Sequence, residues 1–371
     1  MRWPGKDLLV KTLYKTGFST GLIKVEHSRE RIVAMAGDGI LVVASTAMGD
    51  AILCTPLLRV LRHQFPTARL GLLVLKPFAN LFEKHGHGVK VHVYHGKYRD
   101  TPSVEKGMKD LYPVSLLANM NDPDVIPLLY RCGVRGFLRR PMRNTIYRAW
   151  MANQDQMRAS YQTDHGSGHD IRQKLALAEW LGAGITEKDY QTEIFVSDND
   201  EERAIGLVGQ KKMIVLHPGA SKDFKRWPIE YFIQLISKLG SSYSYLITGS
   251  SGDSGLADAI CKGASGVEIQ SICGKVTLRE MAAVLKKSLL MISGDTGAYH
   301  LAMAMGCPTV TWFAPHNVGS DVEAVGPAFN HHKHLSLRPE RVGDPISQIT
   351  PEQVYEKAVT LLESPRNFLK V

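Results

Sequence analysis

No apolar run in this 371-residue chain approaches the roughly 20 residues needed to cross a bilayer. The N-terminus also lacks the charged, apolar and small-residue segments of a secretory signal, so a cytoplasmic protein is expected. Cys54, Cys132, Cys261, Cys273 and Cys307 are scattered with no C-x-x-C pair, which argues against a zinc site or a disulfide framework. Phosphate-binding P-loops are missing, and "GSSGDSG" (Gly249 to Gly255) spaces its glycines as G-x-x-G-x-x-G rather than G-x-G-x-x-G. It is still a nucleoside-facing loop if it follows a strand. An Asp-Thr-Gly occurs once, whereas aspartic proteases pair two such loops in an all-β setting. Metal ligation is not expected. Asp122-Pro123-Asp124 reads as a turn, and His331, His332, His334, His85, His87, His92 and His95 read as solvated, without metal-ligand spacing beside a carboxylate.

What is present is enough apolar material, 44%, for two ordinary cores, and a net charge of +9 that favours an anionic partner. No nucleic-acid motif accompanies that charge. From Gly39 onward, short β-branched runs alternate with helical patterns, the mark of βαβ units. Candidate strands are Ile40–Ala44, Arg69–Leu75, Val89–Tyr94 and Val114–Ala118, then Met213–His217, Tyr243–Thr248, Val267–Ile272, Leu289–Ser293 and Thr309–Phe313. The implied domains are a basic arm (1–38), a Rossmann-like domain (39–197), a polar linker (198–210), a second Rossmann-like domain (211–348) and a C-terminal helix (349–371). Two such domains would face a cleft lined by the carboxyl ends of their strands. The arm is expected to pack on the first domain, to stay loosely ordered, or to lie on an anionic membrane surface. Thr350 and Pro351 predict the cap and first turn of the final helix.

Three strand-to-helix turns carry candidate chemistry. In "ILVVASTAMGDAILCTPLLRVLRHQFP", Asp50 reads either as a helix N-cap or as a carboxylate able to take a proton from a substrate hydroxyl; Thr55-Pro56 is a competing helix start that would leave Asp50 in a loop. In "MIVLHPGASKDFKRWP", Gly219 and Ser221 let backbone approach an anion and Lys225 supplies a point charge, unless the turn is an ordinary solvated loop. In "SGDTGAYHLAMAMGCPTVTWF", the N–H groups of Thr296 and Gly297 open a helix and suit a diphosphate. Asp295 would repel that diphosphate and so suits neutral sugar hydroxyls, with His300 a turn further on. The arginine-rich stretch Tyr130 to Arg148, with Arg139, Arg140 and Arg143, is either a solvated basic face or a dock for an anionic acceptor.

Together "TAMGDAILCTPLLRVLR", "HDIRQKLALAEWLG", "LHPGASKDFKRWP", "SGDTGAYHLAMAMGCPTVTWFAP" and "ISQITPEQV" resemble glycosyltransferase family 9, the heptosyltransferases, from Ile40 to Leu362. The resemblance implies an α/β GT-B architecture of two Rossmann-like domains, with the nucleotide-diphosphate sugar, ADP-heptose in the best-known members, held by the C-terminal domain. It implies an anionic glycolipid acceptor, the lipopolysaccharide core, on the N-terminal domain at the inner face of the inner membrane. Asp50 matches the family's general base, Lys225 its phosphate-contacting lysine, Ser221 a hydroxyl near the phosphates, and Asp295, Thr296 and Gly297 its Asp-Thr-Gly. Where the family has a glutamate for the ribose this chain offers Asp253. Inverting transfer without metal or cofactor is implied.

Overall fold

The computed structural model describes the chain except residues 1–5, 85, 97–100, 121, 141–146, 157–167, 210–212, 315–321, 342 and 365–371, and gives the backbone alone for 6–11. Arg143 and His85 therefore lie outside the described residues. The chain divides into two units, Met1–Asp189 and Tyr190–Val371.

In the first unit five strands, β1 (Gly39–Ser45), β2 (Arg69–Leu75), β3 (Val89–Tyr94), β4 (Val114–Met120) and β5 (Gly136–Arg139), form a sheet of order β3-β2-β1-β4-β5. Every pairing is parallel. Every residue of β1 and β4 is buried, as central parallel strands covered on both faces require. The chain builds outward through β3 and then returns to place β4 beside β1, so the carboxyl ends of β1 and β4 form the switch point where such sheets receive ligands.

The N-terminal residues belong to this unit. Helix α1 (Lys6–Ser19) lays Tyr14 and Phe18 against Trp150, with ring centroids 6.1 and 5.9 Å apart. Helix α2 (Arg29–Ala36), capped by Ser28, buries Ile32 and Ala36 completely. Of the three expectations for the arm, packing on the first domain describes these contacts.

The second unit contains β6 (Met213–His217), β7 (Ser244–Ile247), β8 (Glu268–Ser271), β9 (Leu290–Gly294), β10 (Thr309–Trp312) and β11 (His334–Leu337), in the order β11-β10-β9-β6-β7-β8. All pairings are again parallel. The switch point here lies between β6 and β9, which brings the turn after His217 beside the turn after Gly294. The helix Ile229–Leu239 and the final helix Pro351–Leu362 pack on one face around Trp227 and Trp312. Thr350 caps the final helix through Gln353 in a capping box, as its sequence predicts.

Residues 198–210, expected as a linker, are a helix over Asp198–Val208. Part of its polar sequence is structural. Ser197 and Asp200 form a capping box, and Asp200 accepts two bonds from Arg279, at 3.0 and 2.5 Å, from the helix Leu278–Lys287.

Candidate active site

The turn after β6 closes in a single helical turn, Asp223–Lys225, that points Lys225 at the end of β9. Lys225 Nζ lies 2.9 Å from Asp295 Oδ2, with 19% and 11% of the two side chains exposed. Both backbones are fixed by one residue of β10: Trp312 Nε1 donates to the Lys225 carbonyl at 3.4 Å, and Asp295 N–H donates to the Trp312 carbonyl at 2.9 Å. His300 Nε2 stands 3.6 Å from Asp295 Oδ1. Burial pushes the Asp295 carboxyl up, but the His300 ring and the Lys225 ammonium outweigh it and hold the group below the usual carboxylate range.

Immediately beyond, Thr296 is the N-cap of the helix Gly297–Ala304 in extended conformation, yet its side chain makes no capping bond. Its hydroxyl is buried with no hydrogen-bond partner. An N-cap hydroxyl usually satisfies one of the four orphan N–H groups of a first turn, so this helix presents both an unpaired hydroxyl and unpaired amides. That is an arrangement fitted to an anion. Gly219 lies in the same switch-point loop; a Cβ there would fall 2.7 Å from Asp253 Oδ1, so a side chain at 219 would displace the neighbouring carboxylate. Asp253 Oδ2 accepts from the Ser250 N–H and hydroxyl at 2.8 and 2.6 Å, capping its own turn. Asp253 thus sits beside the β6 turn, though much of its carboxylate is engaged locally. Ser221 is exposed. His217, which the sequence reading passed over, is half-buried at the end of β6; removal from water lowers its pKa, and its Nδ1 lies 3.2 Å from the Thr248 hydroxyl.

In the first unit, Asp50 is neither an N-cap nor a loop residue. It is the third residue of a five-residue helix, α3 (Met48–Ile52), because a second helix, α4 (Thr55–Gln64), starts at Thr55-Pro56 and leaves room for one short turn before it. Asp50 Oδ2 accepts from the Thr46 hydroxyl at 2.5 Å and the Ala47 N–H at 3.3 Å. The carboxylate is held at the carboxyl end of β1 with one oxygen engaged.

Two of the arginines expected as a solvated face or an acceptor dock, Arg139 and Arg140, are used otherwise. Arg139 is a β5 residue with no exposed surface, its backbone clasped by the Asn153 amide at 3.1 and 2.9 Å. Arg140 pairs with Asp170 at the start of the helix Asp170–Trp180, and Asp170 pairs in turn with Lys174. Lys174 is fully buried, and burial drags its pKa down to about 8. Basic residues lying in an edge strand and beside a buried carboxylate cannot form a free surface. The sequence reading missed Asp170 and Lys174, whose signal was two opposite charges at i,i+4 on the same stripe as Ile171, Leu175 and Ala178.

Two histidines expected as solvated are core residues. His92 Nε2 lies 2.8 Å from the Tyr112 hydroxyl and burial lowers its pKa to about 4; His334 Nδ1 lies 3.0 Å from the Thr309 hydroxyl and burial lowers it to about 3. His331 and His332 are exposed. Asp122 accepts from the Tyr94 hydroxyl at 2.5 Å and from the Asp124 N–H at 3.1 Å, a turn geometry. Among the described residues no group of three or more His, Cys, Asp or Glu side chains could hold a metal ion.

Residues 147–338 match the profile of glycosyltransferase family 9 (heptosyltransferase). The chain belongs to that family. It is a glycosyltransferase. Relatives include lipopolysaccharide heptosyltransferase 3 of Escherichia coli K12, 24% identical over 284 residues covering 71% of this chain and 79% of that one. Lipopolysaccharide heptosyltransferase 2 of the same strain is 22% identical over 355 residues, covering 87% and 98%. In fold the chain is similar to the E. coli ADP-heptose LPS heptosyltransferase II, with a TM-score of 0.71 at 19% identity over 87% and 98%. The E. coli heptosyltransferase WaaC with ADP gives 0.65 at 19% identity over 87% and 99%. These likenesses bear out the two Rossmann-like α/β domains. The family match takes in Asp170, Lys174, Lys225 and Asp295, and Asp50 lies before it.

Proposed function

We propose that the chain transfers a heptose from ADP-heptose to a lipopolysaccharide core-type acceptor, inverting the anomeric centre and needing no metal. The observation that carries this reading is the Lys225–Asp295 pair at the mouth of a helix whose N-cap hydroxyl is buried and unpartnered. A carboxylate beside a diphosphate is unfavourable unless a cation lies between them, and Lys225 is that cation. Lys225 meets the diphosphate, the Thr296 hydroxyl and the N–H groups of Thr296 and Gly297 complete its cradle, and Asp295 accepts from sugar hydroxyls with His300 behind it. Gly219, Ser221 and Asp253 border the same subsite. The relatives named for heptose transfer to lipopolysaccharide supply the sugar and the acceptor class.

In the reaction, an acceptor hydroxyl loses its proton to Asp50 as its oxygen bonds to the anomeric carbon from the face opposite the leaving group. The bond from that carbon to the diphosphate breaks, and ADP departs with the negative charge. The cradle opposes that charge without reorganising, an effect typically worth several kcal/mol. On this reading the reaction runs at the cytoplasmic face of the inner membrane, where the acceptor glycolipid would be anchored.

The test is incubation with a panel of nucleotide sugars, with and without core glycolipid, reading nucleoside diphosphate release. Acceptor-dependent ADP release from ADP-heptose is expected, and preference for another donor overturns the assignment. Asp50→Ala should abolish transfer while leaving donor binding intact.

A further inference from the structure

The two most exposed large apolar side chains among the described residues both lie in the N-terminal segment: Leu13, 60% exposed, and Leu22, 82% exposed. Scattered apolar residues are ordinary on a protein surface, so what decides is how the chain holds these two. Tyr14 and Phe18 commit one side of α1 to Trp150, while Thr12, Leu13, Thr16, Ser19 and Thr20, on the helix and just after it, stay exposed. The chain then reverses through Gly21, whose φ of 75° lies in the left-handed region that glycine takes without strain. Ile23 turns inward and packs on Gly17, its Cδ1 3.0 Å from where a Cβ would stand. Leu22 is left at the tip. The carbonyls that end the helix are satisfied within the turn. Thr16 O accepts from the Ser19 and Thr20 hydroxyls at 2.9 Å each, Gly17 O from the Ile23 N–H at 2.9 Å, and Phe18 O from the Gly21 N–H at 3.1 Å. A tip whose backbone carbonyls are already bonded loses little on leaving water.

The charge around this tip has one sign. From Leu8 to Val25 the only charged residues are Lys11, Lys15 and Lys24, and Lys15 and Lys24 are exposed. The next acid, Glu26, is engaged by the His27 and Ser28 N–H groups at 2.9 and 2.8 Å and by Arg31 at 3.4 Å.

We propose that Leu13 and Leu22, with Lys15 and Lys24, form a docking surface for an anionic lipid bilayer, the leucines entering the headgroup boundary and the ammonium groups meeting lipid phosphates. That boundary rewards apolar insertion and positive charge together, and lysine stems can lie along it with their charged ends in water. A second copy of the chain or another protein fits less well. A two-fold contact would press like charges together, and lysine is depleted at protein interfaces. The surface belongs to the first unit alone and does not depend on which sugar the enzyme moves.

The experiment is co-sedimentation of the full-length chain with vesicles of phosphatidylethanolamine and phosphatidylglycerol, and with vesicles of phosphatidylcholine alone, none containing glycolipid. The wild type should bind the anionic vesicles, less as salt rises, and bind phosphatidylcholine weakly. Leu22→Ser should weaken partitioning about tenfold, the loss of one inserted leucine side chain, and Leu13→Ser should weaken it in the same direction. Lys15→Gln and Lys24→Gln should each weaken it about fivefold. Leu22→Trp should keep binding and add a blue-shifted emission that brominated lipid quenches. These positions are exposed, so thermal unfolding of every variant should match the wild type. Absence of wild-type binding to the anionic vesicles, or binding indifferent to both leucine-to-serine changes, overturns the proposal. So does a concentration-dependent dimer that Leu22→Ser abolishes, which would make the surface a contact between copies. Because no acceptor is present, any of these results leaves the transfer reading standing.

Discussion

Replacing Lys225 with alanine separates its pairing with Asp295 from the donor contact proposed for its ammonium. In the free protein that ammonium neutralises Asp295, whose side chain is 11% exposed. Deleting one partner of a buried pair costs about 3–5 kcal/mol because the other charge is stranded. Lys225 keeps 19% exposure and His300 remains 3.6 Å from Asp295, so the expected loss is smaller, about 2 kcal/mol. In a unit of this size that lowers the midpoint of thermal unfolding by about 4–8 °C. The pH dependence has a definite sign. Asp295 is held below its ordinary value of 3.8, so its pairing contributes stability above that value and loses it as pH falls through the lower, folded one. The gap between wild type and variant should therefore be widest near neutrality and narrow below about pH 4. Turnover should fall about 100- to 1000-fold, the usual loss for one preorganised charge donor. Differential scanning fluorimetry across pH, a coupled ADP-release assay and the Lys225→Ala, Asp295→Ala double-mutant cycle measure all of this. Strictly additive stability losses, or wild-type donor affinity in Lys225→Ala, would refute the reasoning.

Thr296→Val should weaken binding of the donor diphosphate by about 1 kcal/mol, readable by calorimetry, while stability hardly changes because the lost hydroxyl has no partner in the free protein. His92 is buried with its pKa lowered from 6.5 to about 4, so protonation favours the unfolded chain; stability should decline as pH falls from about 6.5 to about 4, and His92→Gln should flatten that slope in acid unfolding curves. Gly219→Ala should cut donor turnover and stability together, since its Cβ would collide with Asp253 at 2.7 Å. If the proposed cradle of Lys225 and the helix N-terminus supplies the charge that a metal would otherwise bring, transfer should survive exhaustive chelation in an assay with added EDTA.

The central strands were legible because a parallel sheet buried on both faces writes itself as unbroken apolar runs, as in "ILVVA" and "LMIS". Edge strands β5 and β11 were not, since one hides among arginines in "GFLR" and the other among histidines in "HLSL". Only pairing with β4 and β10 makes them strands. Likewise "DNDEERAIGLV" reads as a polar connector until Arg279 arrives from a distant helix to engage Asp200. The β6 and β9 turns were visible as glycine-rich punctuation at strand ends, but their meeting depends on strand order. What the one-dimensional pattern could not carry was the use of Arg139 and Arg140, because a basic residue looks alike in sequence whether water or a buried carboxylate receives it.

Each sheet draws all its strands from one contiguous stretch of chain: β1 to β5 before Asp189, β6 to β11 after Tyr190. A cut at that peptide bond severs no ladder. The half proposed to cradle the donor is thus encoded by one continuous stretch of the gene, so a recombination at that point would hand it to another partner with both sheets intact.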